Sequence, residues 1–340
     1  MAAHHSLVGL GSPLLDISAE VTAEYMQRYG VLPNNAILAE EKHMPMYKEL
    51  VDNYNCDFIA GGASQNTIRS CQWMSQTPGL TAFLGCIGND ENGQRLSQAA
   101  AKDGVTTYYK IDNATPTGTC AVLLHEKERS LIANLGAANN FDIDHLRANW
   151  SLLENARIAY TEGFFVVPAT PSLVEVSRYM ATNGKIFAMN LSAMFVIEFF
   201  KDQMMQLFEN SEYVFGNEVE AEKFSQVHGF DTTNFETIAL RMAALPKVFE
   251  RTRTVVITRG KDPTVVAVGD QVYTFEVPRI EEEKIIDTNG AGDSFVGGFL
   301  SELLKGSELR RCVAAGNYCA GEVIQQSGCV FPPVPTFNYS

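Results

Sequence analysis

Lys284-Ile285-Ile286-Asp287-Thr288-Asn289-Gly290-Ala291-Gly292-Asp293-Ser294-Phe295-Val296-Gly297-Gly298-Phe299-Leu300 reads as a short apolar strand (284–286), a glycine turn and the start of an apolar helix. Glycines at such a turn permit backbone angles closed to other residues and let a ligand approach the main-chain amides closely. The first amides of a helix have no partner within it and lie at the positive end of its dipole, so they suit a phosphate or a developing oxyanion. Asp293 falls in that first turn, where a carboxylate can accept the proton of an attacking hydroxyl. The local pattern reads equally well as a structural turn whose aspartate caps the helix.

Working outward, strand-like and helix-like segments alternate. Residues 157–160, 185–189, 213–215 and 254–258 read as strands. Residues 171–182, 218–227 and 235–245 read as helices. Residues 80–87, preceded by a helix over 63–74, join the same sheet. This alternation predicts an α/β fold with a central, mostly parallel sheet flanked by helices on both faces. Two regions break the rhythm. Residues 12–60 hold short segments with polar insertions. Residues 115–136 read as a hairpin, Gly118–Leu124 and Arg129–Ala133, joined by a charged turn at residues 125–128. Together they are expected to form a small β-rich lid over residues 12–60 and 115–136. The large α/β domain would then take residues 1–11, 61–114 and 137–340. A lid suits chemistry that must exclude water.

The 340 residues are 46% hydrophobic and 19% charged, enough apolar material for a sizeable core and too little charge for a disordered chain. A formal net charge of -14 argues against a general nucleic-acid binder, because a broad negative field repels phosphate backbones. Seven cysteines with no CxxC pair point to reduced, mostly buried thiols and a cytoplasmic location. No basic stretch followed by an apolar one opens the chain, and no run of 18 apolar residues occurs, so neither a signal peptide nor a membrane span is expected. GxxxxGK[ST] is absent. Val8-Gly9-Leu10-Gly11 begins like a dinucleotide fingerprint, but Pro13 intrudes and Leu14 stands at the third glycine. The six histidines have no metal-ligand spacing.

In their order along the chain, from Leu7 to Phe337, these motifs resemble the PfkB (ribokinase-like) family of carbohydrate and nucleoside kinases. The glycine run is similar to its C-terminal signature, and Gly61-Gly62-Ala63-Ser64-Gln65-Asn66 to its N-terminal one. Six further stretches look like the family's adenosine-phosphorylating members rather than its sugar kinases. They are Ser12–Asp16, Ile37–Glu40, Gln72–Met74, Pro116–Cys120, Arg129–Leu135 and Asn190–Ala193.

The resemblance implies a ribokinase-like fold, transfer of the γ-phosphate of ATP to the 5′-hydroxyl of adenosine, Mg²⁺ with the ATP, and a monomer. Position by position, it implies that Asp293 is the general base and that the amides of Gly290, Ala291 and Gly292 form the anion hole. Arg129 would be a lid arginine reaching the phosphates; taken alone it reads as a solvated turn charge. Asp16, with Gly61, Gly62 and Asn66, would grip the ribose hydroxyls; taken alone Asp16 reads as a strand-end turn residue. Leu14, Cys120, Leu131, Ala133, Leu135, Phe165 and Phe195 would enclose the adenine, though each could be plain core. Asn217 and Glu220, three apart at a helix start, would organise ATP and hydrated Mg²⁺, with Glu220 acting through water. Thr258 and Gly260 match a nucleotide loop, and Asn289, Asn317 and Phe331 would complete the ATP side. A loose phosphoryl-transfer transition state needs mainly positioning, so an aspartate of ordinary basicity is expected to suffice. Ser12, Ala36, Ala63, Ser294 and Asn317 depart from the commonest family pattern; Ala36 puts one adenine-side contact in doubt.

Overall fold

The computed structural model describes residues 5–33, 35–126 and 128–339. The strands are β1 Leu7–Leu10, β2 Leu14–Glu20, β3 Ala36–Leu38, β4 Asp57–Gly61, β5 Thr81–Gly88, β6 Thr106–Asp112 and β7 Thr119–His125. They continue as β8 Glu128–Asn134, β9 Ile158–Glu162, β10 Ile186–Asn190, β11 Tyr213–Asn217, β12 Thr254–Arg259, β13 Asp262–Val268 and β14 Gln271–Phe275. Among the described residues, nine of them form one sheet in the order β14-β13-β12-β11-β10-β9-β1-β5-β6. Pairing is parallel from β6 through β12, while β13 and β14 add an antiparallel edge. That edge hairpin was not expected from the sequence.

Side chains alternate between two cores, as the two-residue period of a strand requires. Leu7, Phe83, Tyr160 and Phe215 enter one, beneath the helices Ala63–Ser75, Ala291–Lys305 and Leu309–Val323. Val8, Leu84, Ala159 and Val214 enter the other, with Val166, Leu173 and Val176 of the helix Val166–Thr182. Burial on both faces explains why β5 is buried along its whole length. β1 lies between β5 and β9, so successive connections leave it in opposite directions, and the crevice beyond the carboxyl ends of these strands is where such sheets bind ligands.

A second sheet has the order β3-β8-β7-β2-β4. Ala121 and Leu123 of β7 pack with Tyr25, Met26, Met46 and Leu50 of the helices Ala23–Tyr29 and Met44–Asn53. Cys120 and Val122, on the opposite face, join Leu14 and Leu135 above the carboxyl ends of the large sheet.

The apolar strand expected at 284–286 is not formed. Glu282–Lys284 is a single 3-10 turn and Ile286 is exposed. The amides of Ile286 and Asp287 both donate to the Ile324 carbonyl, at 2.9 and 3.1 Å, and so satisfy the end of the helix Leu309–Val323 instead of a sheet edge. The helix expected at 171–182 begins earlier, at Val166, and is kinked at Ala169 two residues before Pro171.

Candidate active site

Gly290 caps the helix Ala291–Lys305 in the left-handed region, φ 75°, and a Cβ there would lie 2.9 Å from Cys329 Cβ. A Cβ at Gly292 would meet nothing within 4 Å, so the approach to the helix start is open. The amides of Gly290, Gly292 and Asp293 have no main-chain partner among the described residues; that of Ala291 donates to the Thr288 carbonyl at 3.3 Å. The turn is held from behind by Asp287. Its carboxylate accepts from Asn289 N at 2.8 Å and Gly328 N at 2.5 Å, and is ion-paired with Arg129. Arg129 is therefore not a solvated turn charge. It is buried, and it joins the small sheet to the glycine turn.

Asp293 accepts a hydrogen bond from Asn66 Nδ2 at 3.0 Å. Burial pushes its carboxyl up to about 6, against the lowering effect of that bond. Asp293 is thereby a stronger base than the ordinary aspartate that a loose transition state requires. Asp16, on β2, is pushed up to about 7, chiefly by burial; nearby Arg129 opposes this and Asp293 adds to it. The Asp16 carboxylate occupies the space that a Cβ at Gly61 would take, 2.4 Å from Oδ1, so a side chain there would displace Asp16. Gly62, at φ 93°, would clash with the Ser12 carbonyl if it carried a side chain.

Two cavities meet at Asp293. The larger, about 220 Å³, is lined by Leu14, Asp16, Gly62, Asn66, Cys120, Leu131, Ala133, Leu135, Phe195, Asn289, Gly290 and Asp293. Most of its apolar wall comes from the small sheet. The smaller, about 110 Å³, is lined by Asn217, Glu220, Thr258, Gly292 and Asp293, among others. Here Asn217 caps the helix Glu218–Val227: Asn217 Oδ1 accepts from Glu220 N at 2.8 Å, and Glu220 Oε2 accepts from Asn217 N at 3.0 Å. Glu220 is pushed up to about 7, mainly by burial.

Phe165 does not line the larger cavity. It is wholly buried against Phe141 in the core, and its neighbour Phe164 turns toward both cavities from the 3-10 turn Gly163–Phe165. Gly260, Asn317 and Phe331 line neither cavity. Gly260 makes the β12–β13 turn, Asn317 lies on the helix Leu309–Val323, and Phe331 stacks on Trp73 with ring centroids 5.2 Å apart.

Sequence reasoning missed Glu162 and Ser192. Glu162, at the end of β9, lines the larger cavity. It accepts from Ser12 N at 3.1 Å and from Ser64 N, the two points where the chain passes between the sheets, and burial pushes its carboxyl up to about 7. Ser192, at φ 69°, sits where non-glycine residues are uncommon and lines both cavities. An acidic residue closing an apolar strand and followed by glycine was the available signal for Glu162.

The model of the pfkB family carbohydrate kinases matches residues 25–336. Adenosine kinase 1 of Arabidopsis thaliana is 49% identical over 335 residues, 98% of this chain and 97% of that protein. The crystal structure of Anopheles gambiae adenosine kinase in complex with P1,P4-di(adenosine-5) tetraphosphate has a TM-score of 0.96 to this fold at 44% identity, covering 98% of this chain and 99% of that one. Schistosoma mansoni adenosine kinase in complex with 2-fluoroadenosine has a TM-score of 0.94 at 33% identity, covering 98% of each chain.

Proposed function

The chain belongs to the pfkB family of carbohydrate kinases, and on that premise we propose that it transfers the γ-phosphoryl group of ATP to the 5′-hydroxyl of adenosine, giving AMP and ADP. The observation that carries this reading is that Asp293 forms a wall common to both cavities. A base so placed can reach an acceptor hydroxyl on one side and face the transferred phosphorus on the other.

Adenosine occupies the larger cavity. Its purine lies against Leu14, Leu131, Ala133 and Leu135, where an apolar face suits a flat base. Its ribose hydroxyls lie against Asp16 and Asn66. Asp293 takes the proton from the 5′-oxygen as that oxygen bonds to the γ-phosphorus and the bond to the β-γ bridging oxygen breaks, releasing ADP. The amides at Gly290 and Gly292 receive the charge on the phosphoryl oxygens. Arg129 contributes by holding Asp287, and with it the turn, in place.

ATP phosphates take the smaller cavity. No cluster of three His, Cys, Asp or Glu side chains that could chelate a metal exists among the described residues, and Glu220 is engaged by Asn217. These residues fit a hydrated Mg²⁺ carried on ATP, with the remaining lone pairs of Glu220 and Asn217 holding its waters. Bound there, the ion would neutralise phosphate charge. The reading includes a monomer, which the helices packed on one face of the small sheet support.

Turnover of the purified protein with adenosine, guanosine, inosine and ribose tests the substrate. Faster turnover of ribose than of adenosine would sink the reading.

A further inference from the structure

Behind Asn66 lies a group that the proposed chemistry leaves unused. Arg69 is one turn further along the helix Ala63–Ser75 and only 5% exposed. Its Nε donates to Asp103 Oδ2 at 2.6 Å. Its Nη1 donates to the Ala60 carbonyl at 3.0 Å and to Asn66 Oδ1 at 3.3 Å. Its guanidinium lies 5.6 Å from the centroid of the Phe331 ring. A planar, permanently charged donor fork is thus fixed on three sides.

The consequence falls on Asn66. A primary amide has a donor end and an acceptor end, and can turn either toward a neighbour. Arg69 has only donors to offer, so Asn66 must present Oδ1 to it. That leaves Nδ2 for Asp293, as observed at 3.0 Å. Turned the other way, Asn66 would set an oxygen against a carboxylate. The bond to the Ala60 carbonyl also ties Arg69 to the residue before the Gly61-Gly62 pair.

We propose that Arg69 is a positioning residue for phosphoryl transfer: it polarises and orients Asn66, which in turn holds the Asp293 carboxylate ionised and aimed at the acceptor hydroxyl. The inference rests on Asp293 being the base. The other groups that sense the charge of Asp293 are Asp16 on β2, Tyr160 and Glu162 on β9, Glu220 after β11, and Cys329 behind Gly290. The carboxyls of Asp16, Glu162 and Glu220 titrate in the same region, so the test compares variants rather than reading one absolute value.

The experiment measures kcat/KM for adenosine against pH in the wild-type protein, Arg69→Met, Asn66→Ala, the double variant and Asp103→Asn, with Tm recorded for each. Losing the Asn66 hydrogen bond raises the pKa of the base, so the acid limb should move up by about one pH unit in Arg69→Met and in Asn66→Ala. Because Arg69 acts through Asn66, the double variant should move no further than Asn66→Ala alone. Asp103→Asn, which loosens the guanidinium, should give a smaller shift of the same sign. It decides the matter if Arg69→Met does not fold. An unmoved acid limb in both Arg69→Met and Asp103→Asn, or shifts that add in the double variant, would overturn the proposal. Asp293→Ala separates this from the reading beneath it. If that variant keeps its turnover, the base assignment fails; if it is inactive while the limb stays fixed in the Arg69 and Asp103 variants, only the role of Arg69 fails.

Discussion

The two cavities that meet at Asp293 are built by different means. The larger is a wall of side chains: Leu14, Cys120, Leu131, Ala133 and Leu135 come from the inner face of the small sheet and its continuation. The smaller is built around two helix starts: the amides after Gly290, and the helix that Asn217 and Glu220 cap reciprocally. A side-chain wall reads molecular shape and can be altered one residue at a time, whereas a main-chain cradle holds charge and is altered only by changing what keeps the turn folded. On the cradle side, selectivity between nucleotides should be low and intolerance of mutation high. The opposite should hold on the wall.

That contrast can be broken. The largest effect is expected at the shared residue: Asp293→Ala should lower kcat by about 10³-fold while leaving adenosine binding nearly intact, as steady-state kinetics and calorimetry would show. Next comes the support of the cradle. Arg129→Met leaves the Asp287 carboxylate buried without its cation and should destabilise the fold by about 3 kcal/mol in urea unfolding. On the wall side, Asp16→Ala should raise KM for adenosine by about 30-fold with a smaller change in kcat, and should bring 2′-deoxyadenosine and adenosine closer together as substrates. The pH response follows from the sign of the Asp293 shift. Its carboxyl is raised to about 6, so the base is ionised above that value and lost below it. The kcat/KM for adenosine should then fall by at least about tenfold per pH unit on the acid side of 6, and a profile that stays flat down to 4 would mean that neither Asp293 nor the carboxyls titrating with it is desolvated in solution. The smallest effect belongs to a single apolar contact: Leu131→Ala should weaken adenosine binding by about fivefold and leave Tm within a few degrees.

The same division explains what could be read in the sequence. The sheet was legible because β-then-α alternation and apolar runs such as residues 80–87 are local signals. The hairpin of β7 and β8 was legible for the same reason: Cys120 and Val122 alternate with Ala121 and Leu123 between two faces, one of them covered by helices. Several of the failures involve long-range partners. Residues 284–286 looked like an apolar strand, but the distant helix end at Ile324 takes the amides of Ile286 and Asp287. Phe165 and Phe164 are chemically identical, and only the 3-10 turn after β9 decides which one faces the cavity. For Glu162 the local signal, an acid closing an apolar strand before a glycine, does not reveal its partners Ser12 and Ser64, which are brought to it by the crossing of two sheets. The basicity of Asp293 depends on how much protein surrounds it, which no spacing records.

The pairing of β1 with both β5 and β9, and of β2 with both β4 and β7, has a consequence for biosynthesis. Leu7 must find Ile158 and Leu15 must find Thr119, so the first strands to leave the ribosome wait more than a hundred residues for one of their neighbours. Until then each has an open, apolar edge that other nascent chains can join. Closing such distant contacts is slow, and collapse of the central sheet belongs to the later part of translation. A codon change that slows elongation between residues 20 and 119 should therefore lower the soluble yield of this protein without altering a single atom of the finished enzyme.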